Sequence, residues 1–188
     1  DHDPVVARVK EENKLDANRK MHFQRTGYWN TKWGAKPSTA SNVDNWGKVT
    51  SKKAEFYAAT DVENSHINLT KKWYEIASNT WGNYGPLEFW LVGKSEAAAK
   101  KLDEEYCALR NHKSPSIPID ACLSRDYNFV TYAKEGNAGL NLRRNEHEEW
   151  SGFIISMTCK NPSPQEDDYK PVLLHEYFHV YQQAHIYT

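Results

Sequence analysis

Residues 173–182 of this chain read LLHEYFHVYQ and contain the motif H-E-x-x-H, formed by His175, Glu176 and His179. The apolar residues before the motif and the aromatic residues within it suit the buried side of a helix, which is predicted over roughly residues 169–186. Histidines four residues apart lie one turn apart on the same helix face, so the two imidazoles can converge on one ion. The carboxylate of Glu176 can then accept a proton from water held by that ion.

The segments before this helix alternate between helical and strand patterns. Helices are predicted over residues 66–80 and 96–110, with Ser95 as the N-cap of the second. Strands are predicted over residues 87–92, 127–133, 140–144 and 152–157, with a Pro-containing loop around residues 115–118. The order of these elements favours an α/β (or α+β) fold in which helices pack on a mixed sheet. The strand over 140–144, which carries Arg143 and Arg144, is expected at an edge of that sheet.

The first fifty residues differ in character from the rest of the chain. They are polar and irregular, and their aromatic residues Tyr28, Trp29, Trp33 and Trp46 are separated by Gly, Asn, Ser and Pro. Such residues either anchor a long loop to the body of a protein or line a binding surface, and anchoring is the commoner use. The sequence therefore predicts an irregular Trp-rich N-terminal region over 1–50 and an α/β domain over 51–188.

Charge and hydropathy exclude several classes of partner. The chain has 188 residues and a net charge of −1, which gives no electrostatic reason to expect nucleic acid or an anionic membrane as a partner. Its most apolar stretches, residues 87–92 and 152–157, are too short to cross a bilayer. We therefore expect neither a nucleic-acid nor a membrane partner.

The three cysteines bear on the compartment. Cys107 and Cys122 flank the Pro-containing loop, where a disulfide would staple it, and Cys159 is then either free and buried or paired outside this chain. Three reduced cysteines are the alternative. Together with the sequon at Asn68, the pairing favours a secreted or periplasmic protein.

On His175, Glu176 and His179 within LLHEYFHVYQ, the chain resembles the zincin metallopeptidases. The likeness extends loosely to the order of elements from residue 66 onward. The resemblance implies a helix-backed mixed sheet before the zinc helix, with an edge strand that pairs with an extended peptide substrate. It also implies zinc held by His175 and His179, Glu176 as the general base, and a peptide or protein substrate.

The third zinc ligand of such a site is less clearly marked. One clan, the metzincins, uses H-E-x-x-H-x-x-G-x-x-H, in which His185 matches the third His but Gln182 replaces the Gly that lets the chain leave the helix. The other large clan, the gluzincins, takes a Glu from a later helix, and HEYFH followed by Val-Tyr-Gln is more similar to that type. Because the sequence ends at Thr188, it contains no later helix to supply that Glu. We therefore expect either a truncated or cleaved zincin or a third zinc ligand from another segment of the chain, such as the acidic cluster at residues 146–149. That cluster is otherwise a solvated turn.

Two other functions remain open alongside zinc-dependent peptide hydrolysis. The chain could be a non-catalytic binding module or an inactive fragment on a zincin scaffold, with the aromatic N-terminal region as the contact surface. In the plainest alternative the domain is structural and its H-E-x-x-H is a coincidence. Glu176 favours the enzyme, because a purely structural metal site has no need of an acid beside the first His.

Overall fold

The structure is a computed structural model that describes residues 48–126, 128–135, 140–146 and 151–184, with residues 140–146, 151 and 183 described by backbone alone. Within these residues the chain forms four strands and five helices. In chain order they are β1 (Glu55–Ala58), α1 (Asn64–Trp81), β2 (Leu87–Val92), α2 (Glu96–Lys113), α3 (Ile119–Leu123), α4 (Phe129–Glu135), β3 (Leu140–Glu146), β4 (Ser151–Thr158) and α5 (Glu166–Ala184).

The strands form one mixed sheet in the order β1-β2-β4-β3. Strands β1, β2 and β4 are parallel, and β3 pairs antiparallel with β4 at the edge. A mixed sheet with helices packed on it, and an edge strand near residues 140–144, are both as the sequence predicts.

Strand β2 lies in the middle of the protein and is buried on both sides. Its residues alternate between the two faces of the sheet, as residues of a strand must. Phe89 and Leu91 pack in the core that α1 and α5 cover, whereas Trp90 and Val92 pack in the core of α2 and α4. The nearly continuous apolar run at 87–92 is typical of a strand covered by helices on both faces.

One charged residue interrupts this run and is neutralised inside the protein. The carboxylate of Glu88, which is fully buried, accepts hydrogen bonds from the Arg110 guanidinium at 2.5 Å, from the Lys113 ammonium at 2.5 Å and from the Trp90 indole at 3.0 Å. Lys113 also contacts Glu55, the neighbour of Glu88 in the β1–β2 register. This network joins β1 and β2 to the end of α2.

The predicted strand over 127–133 is wrong, because residues 129–135 form helix α4. Its aromatic and β-branched residues favour a strand, but tertiary contacts override that preference. The buried carboxylate of Asp103 accepts hydrogen bonds from the backbone N–H groups of Phe129 at 3.0 Å and Val130 at 3.2 Å, at the positive end of the helix. The Phe129 ring then packs against Trp90 and Tyr106.

Two short elements lie outside the sequence prediction. Strand β1 has only four residues, and the loop after Pro118 contains the one-turn helix α3. A disulfide between Cys107 and Cys122 joins α3 to α2, as proposed from the sequence. Cys159 is free and buried, and burial raises the pKa of its thiol to about 12. No helix among the described residues combines the length and apolarity that a bilayer crossing requires.

Candidate metal centre

Helix α5 is fixed to the core along one side. Leu173, Tyr177 and Val180 are fully buried between the sheet and α1. The hydroxyl of Tyr177 donates to the carbonyl of Gly82 at 2.7 Å and accepts from the N–H of Tyr84 at 3.3 Å. Tyr177 lies inside the motif, so these bonds hold the motif turn in place against the loop after α1.

The first turns of α5 are fixed as well. The Nε2 atom of His66, near the start of α1, lies 2.7 Å from the carbonyl oxygen of Asn161 and donates to it. The Nδ1 atom of the same ring then accepts from the hydroxyl of Tyr169 on α5. Both His66 and Tyr169 are buried. The two helices are therefore joined near their N-termini by buried polar contacts as well as by apolar packing.

With one side of α5 buried, the other side carries the two motif histidines. Residues 175 and 179 are displaced by about 160° around the helix axis from Tyr177, at roughly 100° per residue. The side chain of His175 is accordingly 67% exposed. The structure thus places the motif histidines on the face of α5 that points away from the sheet.

The two imidazoles converge at their Nε2 atoms, which lie 3.1 Å apart. Two nitrogens that bind the same tetrahedral zinc at bonds of about 2.0–2.1 Å are separated by about 3.3 Å. The rings are nearly perpendicular, with centroids 4.6 Å apart. The pair therefore fits two ligand positions of a tetrahedral ion, and imidazole nitrogen is a preferred zinc ligand.

Gln182 holds the imidazole ring of His179 in its orientation. Its Oε1 atom lies 2.9 Å from Nδ1 of His179 and accepts a hydrogen bond from it. A proton on Nδ1 leaves the Nε2 lone pair available for a metal, which is the usual arrangement of metal-binding histidines. The sequence places Gln182 one turn beyond His179 on the same face, but nothing in the spacing indicates this bond.

Glu176 lies at the side of this pair and is mostly buried. Its side chain is 13% exposed, and its Oε1 atom is 3.9 Å from Nε2 of His175. Burial raises the pKa of this carboxyl above its ordinary value, although His175 and His179 act in the opposite direction. Glu176 is thus a carboxyl group within reach of the two imidazoles, and carboxyl groups so placed can exchange a proton with a neighbouring water.

The third ligand position is not filled by the described part of the chain, in which no three His, Cys, Asp or Glu side chains are grouped to hold a metal. His185 lies outside the described residues, and so do the side chains of the acidic cluster at 146–149. Helix α5 continues through Gln182 to Ala184, whereas the metzincin pattern leaves the helix at that position. His185 as the third ligand stays a prediction.

Comparison with known proteins adds no family assignment. No family model, no curated protein and no solved structure matches this chain. The residues and geometry of this chain and the resemblance of its motif are therefore what indicate its function.

Proposed function

We propose that this protein is a zinc-dependent peptide hydrolase of the zincin type, with zinc held by His175 and His179. The observation that carries the proposal is the 3.1 Å separation of the two Nε2 atoms on one exposed helix face, with the Glu176 carboxylate beside them. Two histidines buried for packing alone would each need a hydrogen-bond partner in the core. Here the two Nε2 atoms lie together on the surface, where they can share one ion, and Gln182 accepts a hydrogen bond from the other ring nitrogen of His179.

The fold supports the same proposal. The chain passes from the antiparallel edge strand β3 through the adjacent strand β4 directly into the motif helix. Strand β3 pairs with β4 on one side and has no strand partner on its other side among the described residues. An unpaired strand edge can accept an extended peptide through backbone hydrogen bonds. The resemblance to zincins assigns this role to the edge strand.

The chemistry assigned to the chain's own residues is proton transfer and positioning. When bound, zinc polarises the scissile carbonyl and lowers the pKa of its water to about 7. Glu176 takes a proton from the attacking water, whose oxygen bonds to the carbonyl carbon. Glu176 then gives that proton to the leaving amine as the C–N bond breaks, so the base is regenerated. His179 is held in the tautomer this requires by Gln182.

The proposal also includes the compartment. The Cys107–Cys122 disulfide supports a secreted or periplasmic protein, because disulfides persist in oxidising compartments. A peptide or protein is the proposed substrate class.

Glu176→Gln tests the enzyme function most sharply. The variant keeps the shape of the side chain and removes its basicity, so cleavage of a fluorescently labelled casein in the presence of zinc should fall by about 10²–10⁴-fold. Bound zinc should be nearly unchanged. Glu166→Gln, at the first residue of the same helix, is the matched control and should retain full activity. Equal activity of the Glu176→Gln variant and wild type would contradict the assigned base. Zinc binding with no hydrolysis in the wild type would favour a binding module.

Gln182→Ala tests the positioning of the second ligand. The loss of a partner to a metal-binding histidine typically weakens metal affinity by about 10–100-fold. We expect a weakening in this range in a zinc competition titration, with no change for Gln165→Ala just before the helix. Unchanged affinity in the Gln182→Ala variant would show that the 2.9 Å contact does not orient the ligand.

A further inference from the structure

A row of aromatic rings lies on the surface where the ends of α1 and α5 meet. The Phe178 ring is 5.7 Å from Trp81 on one side and 5.8 Å from Tyr181 on the other, with the latter pair stacked. We call Trp81, Phe178 and Tyr181 the aromatic row. Phe178 lies at its centre and is nevertheless 40% exposed. Trp81 and Tyr181 on either side of it are partly buried. One exposed ring between two partly exposed ones is an apolar surface suited to contact with another aromatic side chain.

The N-terminal region joins the domain at the end of this row. The N–H of Thr50 donates to the carbonyl of Asn83 at 2.8 Å, and the Asn83 side chain donates back to the carbonyl of Thr50 at 2.8 Å. Just before it, the Val49 side chain packs against Gly82, where an added Cβ would lie 2.8 Å from Cγ1 of Val49. Gly82 directly follows Trp81, so the chain reaches the fold one residue from the aromatic row.

The contacts continue from this junction to the row itself. The Tyr84 hydroxyl packs against the same Gly82, and the Tyr84 ring is 5.9 Å from Tyr181. Val49 is 66% exposed although it touches Gly82. Contacts through the buried Tyr84 therefore link the junction at residue 49 to the aromatic row.

We propose that the Trp-rich segment of this chain, residues 1–47, docks on the aromatic row, with Trp46 as its first anchor. Trp46 is three residues before Val49, so its Cα lies within about 10–11 Å of that of Val49. Trp33, Trp29 and Tyr28 follow within the same segment. A segment joined to the domain beside its docking surface has a high effective concentration there, which favours it over a second copy or a separate partner.

The docking itself does not depend on a metal or on hydrolysis. Docking gives the closely spaced aromatic residues of the N-terminal region the role of anchors rather than that of an open binding surface.

Limited trypsin digestion of the full chain tests the proposal, with cleavage after Arg25 and Lys32 followed by mass spectrometry. Loss of an aromatic contact releases the segment, so Phe178→Ala should raise these cleavage rates by roughly two- to ten-fold. Ile119→Ala is the matched control, because Ile119 is 42% exposed on the other side of the sheet. It should leave the rates unchanged. Trp46→Ala removes the other partner of the same proposed contact. It should reproduce the effect of Phe178→Ala without altering helix α5.

Unchanged cleavage in both Phe178→Ala and Trp46→Ala would overturn the proposal. The solution mass of the wild type gives the second readout. If the wild type is a dimer and Phe178→Ala converts it to a monomer, a second copy occupies the row, which also overturns docking of the chain's own segment. The digestion measures neither zinc nor substrate cleavage, so its outcome is separate from that of the proposed function.

Discussion

Glu88→Gln should be among the most destabilising single substitutions in the fold. The change keeps the shape of the side chain and removes its charge. It leaves the guanidinium of Arg110 and the ammonium of Lys113 inside the protein without the carboxylate that faces both at 2.5 Å. Breaking a buried ion pair by neutralising one partner costs about 3–5 kcal/mol. The cost is large because the remaining charges stay in a medium of low polarity.

Urea unfolding measures the effect directly. With a slope of about 2 kcal/mol per molar urea, the predicted loss shifts the midpoint by about 1.5–2.5 M. Glu166→Gln is the control, because its ion pair with Lys72 is half-exposed on both sides. Such pairs contribute up to about 1 kcal/mol, so the control should shift the midpoint by less than about 0.5 M. Equal small shifts for the two variants would refute the role given to burial in this network.

Three further results are expected. Tyr177→Phe removes the hydroxyl that donates to the Gly82 carbonyl and should lower the free energy of unfolding by about 1–3 kcal/mol, with zinc affinity unchanged. Thermal or urea unfolding measures this loss, and a loss under about 0.5 kcal/mol would contradict the stabilising role of that hydrogen bond. Ser95→Ala removes the side chain that caps α2 and should cost about 1 kcal/mol in the same assay, with Ser95→Thr as the nearly neutral control. Burial raises the pKa of the Cys159 thiol to about 12, so the native protein should resist iodoacetamide at pH 9. In denaturant the chain should take up one label, and rapid labelling of the native protein would show that the thiol is not buried.

Local patterns in the sequence are sufficient to predict the elements that form the frame of the site. Strand β2 has the predicted bounds of residues 87–92, because a short apolar run next to Gly and Pro admits few other structures. Ser95 caps α2 as expected, and the predicted edge strand at 140–144 lies at the edge. The sequence also places the histidines on one helix face, since their spacing alone determines it.

Features that depend on contacts between distant residues could not be read from the sequence. Strand β1 is four residues long and is recognisable only from its pairing with β2, where Phe56 stacks on Phe89. Helix α4 forms because Asp103, about 26 residues earlier, binds its first N–H groups. The bond from His179 to Gln182 depends on side-chain rotamers that spacing does not specify.

The most direct test of the account is the zinc content of the purified, undenatured protein, measured by elemental analysis after incubation with zinc and removal of the excess. We expect about one zinc per chain. His175→Ala and His179→Ala should each lose it, whereas His112→Ala, an exposed histidine on α2, should keep it. A wild type that retains no zinc, or histidine variants that retain it in full, would contradict a metal centre at the convergence of His175 and His179.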